Sequence, residues 1–360
     1  MSARFTLASK GKKEKPRPMF GYRIIEESEE PDTVRGWMVV GGSFFLLMMV
    51  TGYTNSFGVY LQEYKLHVFP ATSSSTLSWI GSLQFGSMCL FGVASGILVE
   101  RYRSQIVIAA GGILMGAFLL ISSACNSPTA LLFTQGILVG VSGSLVLVPA
   151  MSLPGQWMEK HRALATGISV SGGSVGGLWM SFAIRAMVSK LGWKWSLRTT
   201  GLIIIAVSVA ISPLMKKRVQ LPRRLKIIDM QVLKSGHFAL LFFTSLFACG
   251  GYYMPYYFMP SFSAVALHMS EDWGANISSI LNASSIVGRI ATGMLADRVG
   301  TLNTLFISFF ISTAAILVLW LPFKTIGTLV ASAAVFGFAS ARRSAVFYSI
   351  DMDTEPTTRL

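Results

Sequence analysis

Residues 273–300 read WGANISSILNASSIVGRIATGMLADRVG, and this stretch decides the fold. Its middle is apolar enough to cross a bilayer, yet Arg289 lies well inside it. A guanidinium at membrane depth costs about 2.5–3.5 kcal/mol on insertion scales and normally faces a bundle interior or a water-filled cavity. On a helix, Asn282, Ser285 and Arg289 fall at i, i+3 and i+7 and share one stripe. A polar stripe through a membrane helix reads first as a binding site. The competing reading is an arginine that only ties two helices together. The stretch closes on Gly293, Asp297 and Arg298, where a span should leave the lipid.

The rest of the chain agrees. Of 360 residues, 52% are hydrophobic and 13% charged, with mean hydropathy +0.58; soluble domains run nearer 25% charged. Apolar runs of about 20 residues recur, so the expectation is an all-α polytopic membrane protein. Cys89, Cys125 and Cys249 are scattered and odd in number, which indicates no disulfide framework or metal cluster. Residues 1–35 are polar and lack the apolar core of a signal peptide, and they read as a disordered cytosolic tail.

Ten spans are expected, at residues 36–60, 77–99, 105–125, 129–151, 163–188, 196–214, 238–258, 277–296, 302–321 and 325–341. They group as a six-helix unit (36–214), a basic cytosolic loop (215–236), a four-helix second half (237–341) and a cytosolic tail (342–360). With the N-terminus in the cytosol, 23 basic residues lie inside and 4 outside. The positive-inside rule turns on such loop bias, so both termini are placed in the cytosol. The same spread explains the net charge of +14. Nucleic-acid binding needs a concentrated basic face, so the distribution argues against it.

A repeat is visible. Gly96, Glu100 and Arg101 close span 2 as Gly293, Asp297 and Arg298 close span 8, at a spacing of 197 residues (Gly96 to Gly293). Each glycine permits close helix approach, and each acid can pair with a nearby arginine or cap a helix end.

These paired motifs around a basic central loop resemble the major facilitator superfamily, in which two six-helix halves share a cavity. Glu100 stands for that family's usual aspartate, and Arg103 for its glycine. A closer resemblance is to the monocarboxylate transporter family, above all its fungal branch. Asp32, Gly36 and Trp37 match its motif before span 1. The block opening span 5 carries Lys160, His161, Arg162, Gly167, Gly172 and the glycines beyond. In that family the span-8 arginine partners the substrate carboxylate, a role the resemblance gives to Arg289. A guanidinium suits it because it forks onto a carboxylate. Where animal relatives have a span-1 lysine implicated in proton transfer, this chain has Asn55. Where they have a span-8 aspartate, it has Ser285. Neither can titrate, which leaves proton coupling open.

The glycine pair Gly250 and Gly251, Pro255 and the phenols of Tyr252, Tyr253, Tyr256 and Tyr257 suggest either an outer gate offering hydroxyls to a ligand or an aromatic belt. Gln84, Gln135 and Ser142 are further cavity candidates, and Arg185 is expected to snorkel. The second half has four spans where the first has six, so about 52 residues equivalent to 163–214 are missing. A truncated or mis-spliced product is the expectation at that end.

The expected function is a secondary transporter moving a small organic acid by alternating access. The alternatives are a truncated non-transporting paralogue or interaction subunit, and a transporter of a bulkier metabolite such as riboflavin. No nucleophile–base pair, phosphate loop or metal spacing appears, so an enzyme is not expected and no cofactor is implied. The expected partners are an organic anion, protons if coupling exists, lipid, and an accessory membrane protein in the subunit alternative. The plasma membrane is favoured over vacuolar or organellar membranes.

Overall fold

The computed structural model describes residues 26–27, 30–220, 236–267, 269, 271–322 and 325–340. The readings of residues 1–25, 221–235 and 342–360 lie outside the described residues.

Among the described residues, ten helical rods follow one another, one for each expected span. They are α1 (Val34–Val68), α2 (Ser74–Leu90 and Gly92–Arg101), α3 (Ser104–Ala124), α4 (Pro128–Trp157) and α5 (Arg162–Leu191). Then come α6 (Trp193–Leu214), α7 (Gly236–Val265), α8 (Glu271–Val299), α9 (Thr301–Ala314, continued by Ala315–Trp320) and α10 (Ile326–Ser340). Lipid offers no hydrogen bonds, so apolar segments must satisfy their backbone internally, and helices do so. Among the described residues, six rods are long and apolar enough to span a membrane, or seven if the two pieces of α2, bent by 40°, count as one. The chain is thus an all-α helical membrane bundle, as expected.

Local signals set the rod ends. Ser73 accepts from the Thr76 amide at the start of α2, and Ser127 from the Ala130 amide, with Pro128 in the first turn of α4. Gly192 and Gly300 turn the chain before α6 and α9 with φ of 80° and 93°, a region that favours glycine.

Each half has its own apolar core. That of the first half includes Leu46, Val50, Leu77, Ile80, Met115 and Trp157. The second gathers Met259, Ile277, Leu281, Leu329 and Phe336. Helix contacts repeat as well. A Cβ added at Gly140 would meet the Gln84 carbonyl and the Ser87 hydroxyl, and one at Gly337 would meet the Leu281 carbonyl and Ser284. All three pairs are spaced by 197 residues (Gly140 to Gly337, for one), the spacing of the Gly96 and Gly293 motifs.

Near the tail the structure corrects the sequence reading. Glu26–Glu27 (β1) pairs antiparallel with Val219–Gln220 (β2). Asp32 is also ordered: its carboxylate accepts from the Glu159 and Lys160 amides at 3.3 and 3.2 Å. The acid before span 1 therefore clasps the loop that leads into α5.

Candidate functional site

The two halves meet along α5, which is glycine-rich on the faces that neighbours approach. Lipid gives no hydrophobic drive for helix pairing, so close contact depends on small residues. Towards α1, a Cβ at Gly172 would lie 2.2 Å from the Phe44 carbonyl oxygen, and one at Gly176 2.1 Å from that of Met48. Towards α8, a Cβ at Gly167 would lie 2.4 Å from the Arg289 carbonyl oxygen. One at Gly293 would lie 2.9 Å from that of Ala163.

Arg289 projects from α8 into this seam. Its Nη1 donates to the Val170 carbonyl of α5 at 2.5 Å, while its Nε is buried without a hydrogen-bond partner. On α5, Gly173 opens the space opposite. A Cβ there would lie 2.4 Å from Thr51 Oγ1 of α1 and 3.9 Å from Arg289 Nη1. Asn55 Nδ2, one turn beyond Thr51, donates to the Gly173 carbonyl at 3.5 Å. Ser285 is fully buried and its hydroxyl is unpartnered. Asn282 Nδ2 is occupied by the Ser278 carbonyl at 2.9 Å. The structure thus brings Arg289, Asn55 and Thr51 around Gly173 and keeps Ser285 one turn along α8. The side chains of Tyr253 and Tyr257 lie outside the described residues.

One end of the bundle carries the loop arginines and lysines, and here the halves are latched. Asp297 accepts from the Ala163 and Leu164 amides at 2.9 Å each, so a carboxylate of the second half occupies the first turn of α5. Arg298 and Lys160 are exposed, and Arg162 opens α5 with its carbonyl held by the Thr166 hydroxyl at 2.9 Å.

The first copy of the motif does something else. Among the described residues, a Cβ on Gly96 would meet nothing within 4 Å. Arg101 is exposed, and Glu100 offers its backbone carbonyl to Lys217 Nζ at 3.4 Å. Lys217 also donates to the Val99 and Tyr102 carbonyls and so caps the end of α2 with a cation. Burial lowers the Lys217 pKa, and the charge of Glu100 opposes the shift. Beside it, Arg218 joins Glu159 at 2.7 Å.

The three further polar candidates are all buried. Gln135 is fully buried inside the first half, donating to Tyr53 Oη at 2.7 Å and accepting from Tyr64 Oη at 2.8 Å. Gln84 donates to the Thr54 hydroxyl at 3.0 Å, and Ser142 returns its hydroxyl to the Leu138 carbonyl at 2.7 Å. Arg185 and His161 are exposed. Sequence reasoning missed Thr51 and the Val170 carbonyl. Thr51 could have been found from its place one turn before Asn55; a backbone carbonyl leaves no such trace.

The Major Facilitator Superfamily model matches residues 36–353. The MFS-type transporter pynF of Aspergillus niger is 29% identical over 334 residues, covering 90% of this chain and 76% of the relative. The aspyridones efflux protein apdF of Emericella nidulans is 33% identical over 309 residues, covering 85% of this chain and 62% of the relative, so the chain spans under two thirds of that protein. The agnestins efflux protein AgnL12 of Paecilomyces divaricatus is 30% identical over 311 residues, covering 86% and 71%. The chain belongs to the major facilitator superfamily.

Proposed function

We propose that this superfamily member is a secondary transporter of a small organic acid, in which the two halves rock about the α5–α8 seam and Arg289 is the cationic partner of the substrate. One observation carries the reading. A half-buried arginine lies at the junction of the halves, with its Nε atom buried and unpartnered. A buried donor left without a partner costs free energy, so its retention points to a partner that comes and goes. Guanidinium matches a carboxylate because its parallel N–H groups meet two oxygens at once. The blocks resembling monocarboxylate transporters support the same substrate class.

The units of this reading are the helices of 36–214, the basic loop 215–236, the helices of 237–341 and the tail 342–360. The basic end faces the cytosol, as loop charge favours, and the plasma membrane is the proposed site. The names of two relatives, efflux proteins for aspyridones and for agnestins, support outward movement and favour a second reading, a bulkier cargo than a short-chain acid.

The test is flux of labelled pyruvate, lactate and acetate in transport-deficient yeast, beside Arg289→Gln. Saturable flux that the variant abolishes supports the acid reading. Normal flux in the variant removes Arg289 from the site. No acid flux from protein shown to be at the surface leaves the bulkier cargo as the better reading.

A further inference from the structure

Successive residues of a helix are about 100° apart, so the neighbours of α8 divide its circumference into faces. Leu281, Ser284 and Gly288 face α10, whose Gly337 and Phe338 approach them closely. Arg289 and Gly293 face α5. The arc between those faces runs through Ser278, Ser285 and Thr292, seven residues apart, with Ser285 at its centre and Arg289 at its α5 edge. Ser285 therefore points into the wedge between α5 and α10, inside the molecule.

A serine buried in a helix normally returns its hydroxyl to a carbonyl of its own preceding turn. Thr292 does so, to Gly288 at 2.6 Å, and Ser169 of α5 does so to Ala165 at 2.9 Å. Ser285 does not, although it is fully buried. Other unpartnered hydroxyls exist, such as Ser43 and Ser208. Among the described residues, however, only Ser285 has a second buried orphan, Arg289 Nε, one turn away on the same helix. Two donors without acceptors, one of them charged, describe a receptor for an anion with at least two oxygens.

We propose that the Ser285 hydroxyl and Arg289 Nε form one receptor, in which a substrate carboxylate accepts from both. The inference rests on the acid reading above and deepens it by naming the second donor and the selectivity it brings. A carboxylate accepts at both oxygens, whereas a neutral amide turns an NH2 towards one of the two donors and leaves that donor unmet. Sites built from buried donors reject such mismatched analogues strongly. Ser285 is thus a specificity-determining residue.

The test is thermal unfolding of the purified full chain in detergent with lactate, benzoate or benzamide, for the wild type, Ser285→Ala and the control Ser142→Ala. The wild type and the control should gain Tm with both acids and none with benzamide. Ser285→Ala should leave the ligand-free Tm unchanged or higher, because it deletes an unmet hydroxyl. It should also raise the acid concentration needed for half the shift by about tenfold or more, the loss expected for one hydrogen bond to a charged group. A wild-type dose dependence in Ser285→Ala overturns the receptor, as does a lowered ligand-free Tm with the acid response intact. Absence of any acid-induced shift in the wild type overturns the acid reading itself, and that failure shows before any substitution is made.

Discussion

Asp297 meets the first turn of α5 with both carboxylate oxygens, at Ala163 and Leu164. Those amides have no partner within their own helix and lie at the positive end of its dipole. His161, which precedes α5, makes no side-chain cap, so the cap comes from the other half of the chain. N-terminal caps contribute about 0.5–2 kcal/mol, and exposure of Asp297 to solvent places it towards the lower end. Asp297→Ala should therefore cost closure of the basic end about 1 kcal/mol, or about a fivefold shift towards opening. A cysteine at Thr166, which is buried just inside the latch, reports this once Cys89, Cys125 and Cys249 are replaced by serine. Its maleimide labelling should be several-fold faster in Asp297→Ala; an equal rate would mean that the carboxylate does not hold this end shut.

At the scale of the element, α5 works because its glycines let two helices, α1 and α8, approach it. At Gly176 the space of a methyl is filled by backbone, the Met48 carbonyl and Gly52 Cα, neither of which can swing away. Gly176→Ala should cost about 1–3 kcal/mol, the range for overpacking, and lower Tm in detergent. Gly96→Ala opens onto free space and should leave Tm unchanged or slightly raised, since alanine is the better helix former. Equal Tm values for the two variants would count against glycine packing as the basis of the α1–α5 contact. From the sequence both glycines look alike, each spaced within an apolar helix. What the sequence cannot carry is the azimuth of a helix in its bundle, and that separates Gly176, packed on a neighbour, from Gly96, which has none within 4 Å among the described residues. The same gap misplaced Gln135: a lone glutamine in a span reads as cavity-lining, yet two tyrosines of α1 enclose it. The rods themselves were legible, because hydrophobicity over about 20 residues is a property of composition. The position of Arg289 was legible because a charge at that depth requires a polar interior. Its partner, the Val170 carbonyl, was not.

For the whole molecule, the repeat of 197 residues (Gly96 to Gly293) makes two similar halves, and the proposed site lies where they meet instead of within either one. Such an arrangement can expose one site alternately to the two sides. What drives the cycle depends on which groups between the faces can change charge. Among the described residues, the acids and histidines carried by the rods, Glu63, His67, Glu100, His237, Glu271, Asp272 and Asp297, all lie at rod ends. Arginine stays protonated throughout the physiological range, and serine and asparagine do not titrate. Among the described residues, then, no rod carries a mid-length group that takes up or releases a proton between about pH 5 and 8. Transport of an organic anion should follow the anion's own gradient, and an inside-positive potential should speed its entry into proteoliposomes. At fixed anion concentration the initial rate should be the same at both ends of that pH range, and an enclosed pH-sensitive dye should record no proton movement with the substrate. A pH gradient that drives the anion uphill, with matching alkalinisation on the side it leaves, would show that a proton travels with it. The coupling group would then have to be the substrate's own carboxylate or one of the acids at the rod ends, and Asp297, which latches the two halves, would be the first to replace.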